Sequence, residues 1–386
     1  MRTQAPRPKP KRALRAKSTG GVLGDDPSIA APSLGAPGHP NFIPASLSDY
    51  EILAKQRFSR PAWEYINSGS ADEHTMRWNI ESLARMRLRP RVMIDVTRID
   101  MRVKLFDHEM PHPIMVGPTS SHFLAHREGE LATARGAGAA GAVMIASTLS
   151  NCTIEEIVRA ATQPVWFQLY ADDDRGKTKS LIQRAEAAGC QALCLTTDLP
   201  WIYARNREAH IIHEVPQLPY PHIKFKGGPA STGLKTWGYR HLNWTDIEWI
   251  RSFCALPILL KGILNPDDAE RAVQSGASAL IVSNHGGRSL DTVPASIDAL
   301  PAVAGKIAGR IPILMDSGIR RGTDVLKALA NGATAILLGR PILYGLGIGG
   351  ADGVRNVIEI LRTEFEAAMA LAGRTSIAAI DRSVIW

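Results

Sequence analysis

The run Ser283-Asn284-His285-Gly286-Gly287-Arg288 sets an imidazole three residues ahead of a guanidinium. Histidine exchanges a proton near neutral pH, and arginine holds a carboxylate in fork geometry. The two intervening glycines permit a sharp turn of the backbone. Together these residue types suit removal of a proton from a molecule that carries a carboxylate. The run follows Ala279-Leu280-Ile281-Val282, which has the length and composition of a buried parallel strand. A histidine merely satisfied in the core is the alternative, and the arginine and glycines beside it weigh against that.

Other apolar runs also end in polar groups: Thr119, Ser147, Gln168 with Tyr170, Thr196 with Asp198, Lys261, Asp316 and Arg340. Strands end in something polar by chance, but a base, a carboxylate, a lysine and arginines are a less ordinary set. Lys261 closes the apolar stretch Ile258-Leu259-Leu260 and reads either as a Schiff-base lysine or as a cation that stabilises a developing anion. Asp316-Ser317-Gly318-Ile319-Arg320 and Gly339-Arg340 combine backbone N–H groups with fixed positive charge, a phosphate-binding combination.

The elements that must carry these groups recur along the chain. Eight short β-rich runs appear: 113–117, 142–147, 165–170, 192–198, 257–262, 279–284, 312–316 and 334–339. Amphipathic segments such as 128–140, 177–188, 266–275 and 322–330 lie between them. Such alternation predicts an α/β fold, a (β/α)₈ TIM barrel whose chemistry gathers where strands end. A doubly wound open sheet is the alternative, but no Gly-x-Gly-x-x-Gly follows the first strand. Two N-terminal helices precede the barrel: one with a capping box read at Ser48 and Glu51, the other spanning about 61–68 and stopped by Gly69. A long insertion after strand four, about 199–243, reads as a functional loop.

A length of 386 residues suits one large barrel, and an apolar fraction of 45% suits a globular chain. The net charge of +8 is concentrated at the start, where Arg2, Arg7, Lys9, Lys11, Arg12, Arg15 and Lys17 precede the first acid, Asp25. The rest is close to neutral, so the charge does not point to nucleic acid. Residues 1–45, rich in Pro, Gly, Ala and Ser, read as a disordered basic tail, with a targeting peptide as the alternative, and 46–386 as the barrel domain. Cys152, Cys190, Cys194 and Cys254 show no metal-type spacing with histidine and read as buried thiols.

Ser283–Asp291 (SNHGGRSLD), Phe167–Tyr170 (FQLY), Leu259–Gly262 (LLKG), Asp316–Asp324 (DSGIRRGTD), Leu338–Pro341 (LGRP) and Tyr65–Gly69 (YINSG) resemble the FMN-dependent α-hydroxy acid oxidases and dehydrogenases. That family includes glycolate oxidase, lactate oxidase, mandelate dehydrogenase and flavocytochrome b2, and the resemblance runs from about Leu47 to the C-terminus. It implies FMN as cofactor and oxidation of an L-2-hydroxy acid to the 2-keto acid. It makes His285 the base, with Asp198 stabilising its imidazolium. Arg288, Arg205 and Tyr65 would hold the substrate carboxylate, and Tyr170 its reacting oxygen. Lys261 would sit beside the flavin pyrimidine. Pro118, Thr119, Ser120, Ser147, Gln168, Thr196 and Ser283 would line the ring system, with Asp316 on the ribityl chain. Gly318, Arg320, Gly339 and Arg340 would hold the phosphate. The proton can leave from carbon or from oxygen, and His285 serves either route. The resemblance also implies reoxidation by oxygen or a quinone, a homotetramer and a cytoplasmic location.

The chain departs from the family at three points. Leu149 stands where glycolate oxidases carry tryptophan, which leaves space for larger substrates. Ser120 replaces a small apolar residue. Tyr203 replaces glycine, and its bulk makes the placement of Arg205 the least secure. The insertion holds Tyr220, Ile223, Phe225, Trp237 and Tyr239 among Lys224, Lys226, Lys235 and Arg240, and reads as a lid in preference to a peripheral membrane contact. Two further classes stay open: a lysine-based or isomerase barrel, and a non-catalytic binding barrel.

Overall fold

The computed structural model describes residues 42–211, 213–223 and 241–386, and Pro44–Trp386 forms one compact unit. Helix α1 spans Leu47–Arg57, α2 Arg60–Asn67 and α3 His74–Arg85. The α1 cap corrects the sequence reading. Ser46, not Ser48, is the N-cap, and its reciprocal partner is Asp49, not Glu51. Ser46 has extended backbone (φ −147°) and accepts from the Asp49 N–H at 3.2 Å, whereas Ser48 already lies inside the first turn.

An antiparallel hairpin, β1 (Val103–Leu105) and β2 (His108–Met110), precedes the barrel and was not legible as strands. The barrel strands are β3 (Ile114–Val116), β4 (Met144–Ser147), β5 (Val165–Leu169), β6 (Leu193–Thr196), β7 (Ile258–Ile263), β8 (Ala279–Val282), β9 (Ile313–Met315) and β10 (Ala335–Leu338). All pair in parallel, and β10 closes onto β3. Between them run α4 (Gly129–Ala139), α5 (Ile154–Ala160), α6 (Arg175–Ala187), α7 (Asn206–Ile211), α8 (Thr245–Arg251), α9 (Pro266–Gln274), α10 (Ser296–Ile307) and α11 (Gly322–Ala330). After β10, α12 (Arg340–Leu371) is broken at Gly349 and Gly350. The eight runs read from the sequence are the eight barrel strands.

Strand alternation divides the core in two. Met115, Ile145, Trp166, Cys194, Leu259, Ile281, Leu314 and Leu337 share an inner cluster. Their neighbours Ile114, Met144, Phe167, Leu193, Leu260, Leu280, Ile313 and Ile336 belong to the outer one, beneath the helices. Val103, Leu105 and Met110 of the hairpin join the inner cluster, and Phe106 packs its ring 5.5 Å from Trp166. The hairpin thus stoppers the N-terminal end with apolar surface and leaves the C-terminal end to polar groups. The four cysteines are free and buried. Among the described residues, no helix is long and apolar enough to cross a membrane.

Candidate functional site

Residues two apart on a strand share a face. Two residues beyond the inner cluster stand Ser147, Gln168, Thr196, Lys261, Ser283 and Asp316; four beyond stand Thr119, Tyr170, Asp198 and His285. The same alternation that fills the barrel raises Ser147, Gln168, Thr196 and Lys261, still within their strands, toward its C-terminal mouth; Ser283 and Asp316 follow directly, and Thr119, Tyr170, Asp198 and His285 lie in the loops just beyond the strand ends. A cavity of about 140 Å³ opens there, lined by Tyr65, Pro118, Thr119, Ser120, Ser147, Tyr170, Lys261, His285, Arg288, Asp316, Gly318, Arg320, Gly339 and Arg340, among others. Gln168, Thr196, Asp198, Arg205 and Ser283 are site expectations that contribute no lining.

His285 has a left-handed backbone (φ 60°), an unusual conformation for a residue with a Cβ and one that functional sites often hold. Its Nδ1 lies 3.0 Å from Asp198 Oδ1, and Tyr170 Oη approaches Nε2 at 3.4 Å. Burial pushes the His285 pKa below its ordinary value, and Lys261 pushes it further, against the upward pull of Asp198. Burial alone would raise the Asp198 pKa, but His285 and Lys261 hold it below the usual carboxylate value. The carboxylate is ionised, so Nδ1 carries the imidazole proton and Nε2 offers its lone pair. Burial also raises the Tyr170 pKa, which leaves the phenol protonated and able to donate.

Glycines make this approach feasible. Gly262 has φ +110°, and a Cβ there would stand 2.4 Å from Asp198 Cβ. A register shift between Lys261 and Ile263 accompanies it. Gly287 (φ +74°) faces the backbone of Met76 in α3, where a Cβ would come within 2.7 Å. Helix α3, absent from the sequence reading, clamps the His285 loop. Asn79 and Asn284 exchange amide hydrogen bonds of 2.9 and 2.7 Å, and Asp291 accepts from the Thr75 N–H at 2.8 Å.

Lys261 donates to Ser283 Oγ at 2.9 Å and lies 3.4 Å from Asp316. Burial works against its charge, but Asp316 and Asp198 reverse that and raise its pKa, so the ammonium persists. A lysine held as an ammonium beside Asp316 suits the stabilisation of a developing anion better than imine formation. Gln168 donates to Thr196 Oγ1 at 2.9 Å and accepts from Ser147 Oγ at 3.1 Å.

Arg288 donates through Nη1 to Tyr65 O, Ser68 O and Ser68 Oγ (2.9, 2.7 and 3.1 Å) and through Nη2 to Glu208 at 2.6 Å. Among the described residues its Nε–H and one Nη2–H have no partner, which leaves them for a ligand. Arg205 donates to the Arg288 carbonyl at 3.0 Å and faces Glu208 at 3.5 Å. Tyr203 is 45% exposed, so its bulk falls on the surface and leaves Arg205 beside Arg288. Sequence reasoning missed Glu208, whose one signal was its place three residues after Arg205. Tyr65 Oη lies 2.8 Å from Ser120 Oγ, Ser121 Oγ donates to Tyr65 at 3.3 Å, and Tyr220 Oη lies 2.9 Å from Ser121 Oγ. The insertion thus reaches the mouth at Tyr220. Lys224, Phe225, Lys226, Lys235, Trp237, Tyr239 and Arg240 lie outside the described residues, as does most of the basic tail.

Beside Arg288, Arg340 donates to the carbonyls of Ile66, Gly286 and Ser68, each at 3.0 Å, and two of its N–H groups have no partner among the described residues. Burial and the neighbouring Arg288 lower its pKa to about 10. The buried Nε of Arg320 has no hydrogen-bond partner among the described residues; Glu51 stands 3.8 Å away. An elongated anionic molecule with hydroxyls along its length suits this cavity. The two arginines would meet a phosphate, Asp316 would meet hydroxyls, and Lys261 would meet an electron-rich ring.

A family model described as FMN-dependent dehydrogenase matches residues 54–386. The chain belongs to that family. It is accordingly an FMN-dependent oxidoreductase. It is 43% identical over 357 residues to an L-lactate oxidase of Nostoc, covering 89% of this chain and 98% of that protein. It is also 43% identical over 350 residues to a peroxisomal (S)-2-hydroxyacid oxidase of Arabidopsis thaliana, covering 88% and 95%. Among solved structures, mandelate oxidase with (S)-4-hydroxymandelic acid matches with a TM-score of 0.84 and 35% identity, over 89% of this chain and 98% of that one. A doubly substituted flavocytochrome b2 with pyruvate bound matches with a TM-score of 0.82 and 35% identity, over 89% and 86%. FMN-dependent dehydrogenases thus share this fold across most of the chain.

Proposed function

We propose that this FMN-dependent oxidoreductase oxidises an L-2-hydroxy acid to the 2-keto acid, with His285 as the base. The observation that carries the reading is the His285–Asp198 pair at 3.0 Å beside an arginine with donors to spare. Arg288 holds the substrate carboxylate through its remaining N–H groups, assisted by the Tyr65 hydroxyl, and Arg205 supports Arg288 from behind. Fixing the acid in this way removes much of the entropic cost of aligning its α-carbon. His285 Nε2 takes the proton, and Asp198 stabilises the imidazolium that results. Tyr170 donates to the substrate oxygen as it becomes a carbonyl. Bound FMN would accept the two electrons together with the second hydrogen, so that whichever of the carbon- and oxygen-bound hydrogens His285 does not take leaves with them.

Pro118, Thr119, Ser120, Ser147 and Lys261 would border the flavin ring, with Gln168, Thr196 and Ser283 fixing the groups that touch it. Asp316 would bind the ribityl chain, and Gly318, Arg320, Gly339 and Arg340 the phosphate. Leu149 packs against Tyr170 and Leu199, and, smaller than tryptophan, it favours lactate and larger acids over glycolate. Reoxidation by oxygen or a quinone, a cytoplasmic homotetramer, the basic tail of residues 1–45 and a lid over the mouth complete the proposal.

Steady-state oxidation of enantiopure 2-hydroxy acids, with oxygen and with a dye acceptor in turn, tests it. Keto acid formed from an L-acid larger than glycolate supports the reading, and the faster acceptor assigns oxidase or dehydrogenase. No keto acid from any member of the panel would sink it.

A further inference from the structure

Arg288, the proposed carboxylate grip, and Arg205 behind it meet one buried acid. Glu208, only 3% exposed, accepts from Arg288 Nη2 and from Ser68 Oγ at 2.6 Å each, and its other oxygen lies 3.5 Å from Arg205. Among the described residues no other carboxylate is within ion-pair distance of either arginine. Burial alone would raise the Glu208 pKa, but Arg288 and Arg205 hold it below the usual carboxylate value, so it is charged. Two cations and one anion leave this corner with a single positive charge.

We propose that Glu208 is a positioning residue that tunes the site to monoanionic acids and against dianions; this rests on the hydroxy-acid reading above. One substrate carboxylate completes the charge balance. A second would lie in a desolvated corner beside Glu208, whose charge opposes it. Glu208 also shapes the grip. By occupying one Nη2–H of Arg288, it leaves Nε–H and the other Nη2–H free for a single two-oxygen ligand. Ser68 keeps this arrangement in register, because its hydroxyl donates to Glu208 while its carbonyl accepts from Arg288 and Arg340.

The test uses the FMN-loaded enzyme at mildly alkaline pH, where malonate is a dianion and propionate a monoanion. Binding of each is read from the perturbed flavin absorbance, without turnover. In Glu208→Gln the dissociation constant of malonate relative to propionate should fall by at least about tenfold. Glu208→Asp, which keeps the charge, should restore the wild-type ratio. A merely structural role would weaken both acids equally, and an unchanged ratio in Glu208→Gln overturns the proposal. If that variant fails to hold FMN, Arg205→Gln shifts the same balance the other way. The malonate-to-propionate ratio should then rise, and a ratio that stays put or falls overturns the proposal. Wild-type protein that holds no flavin and oxidises no 2-hydroxy acid fails the functional reading instead, which separates the two.

Discussion

Replacing Asp198 by Asn keeps the side chain's shape and leaves an oxygen to accept from His285 Nδ1, but removes the charge. The two groups are 3.0 Å apart, with side chains 11% and 18% exposed. At an effective dielectric of about 20, a unit ion pair at that separation is worth about 5 kcal/mol before other terms. The surviving hydrogen bond and the relief of burying one charge return part of this. About 3–4 kcal/mol of imidazolium stabilisation should be lost, so proton transfer should slow by about 10²–10³-fold. The assay is anaerobic rapid mixing of Asp198→Asn with saturating substrate, following flavin bleaching, with FMN content as the control. A rate within about threefold of wild type, at equal FMN content, would refute the role given to Asp198.

Three further outcomes follow from the same geometry. Because the His285 pKa lies below its ordinary value and the neutral form is the base, kcat/KM should be full above that value and fall as pH drops through it. Lys261→Met removes a cation that lowers this pKa, so the acid limb should move to higher pH; movement to lower pH would contradict the assignment. Gly262→Ala forces a Cβ to 2.4 Å from Asp198 in a backbone that disfavours it. A loss of about 1–3 kcal/mol in denaturant unfolding and at least about a tenfold loss of rate are expected, and wild-type behaviour in both would show that the contact is harmless. Leu149→Trp adds bulk beside Tyr170 and Leu199, so kcat/KM for aromatic 2-hydroxy acids should fall by at least about tenfold relative to glycolate. An unchanged ratio would place the substrate side chain elsewhere.

The barrel was legible because each strand is a short apolar run with a polar end, a pattern that the order of residues displays locally. The site followed from it in part, since a two-residue period carries Ile281 to Ser283 on one face, and His285 lies in the loop just past the strand. What remained hidden depends on contacts distant in sequence. Ser68 and Glu208 are 140 residues apart and Asn79 and Asn284 are 205 apart, so no local pattern marks either pair. The hairpin strands β1 and β2 have three residues each, too few for an alternation to register. The α1 cap was misplaced by two residues because Ser46 and Ser48 each precede an acid at capping-box spacing. Only the backbone of Ser46 is extended.

The central claim is that a 2-hydroxy acid loses its proton to His285 and its electrons to FMN in this cavity. The most direct test is the visible spectrum of the purified protein, titrated anaerobically with a panel of L-2-hydroxy acids. An oxidised-flavin spectrum should bleach with at least one acid larger than glycolate, and His285→Gln should keep the spectrum but abolish the bleaching. A flavin that no hydroxy acid reduces, or one that bleaches as fast in His285→Gln as in wild type, would contradict the account.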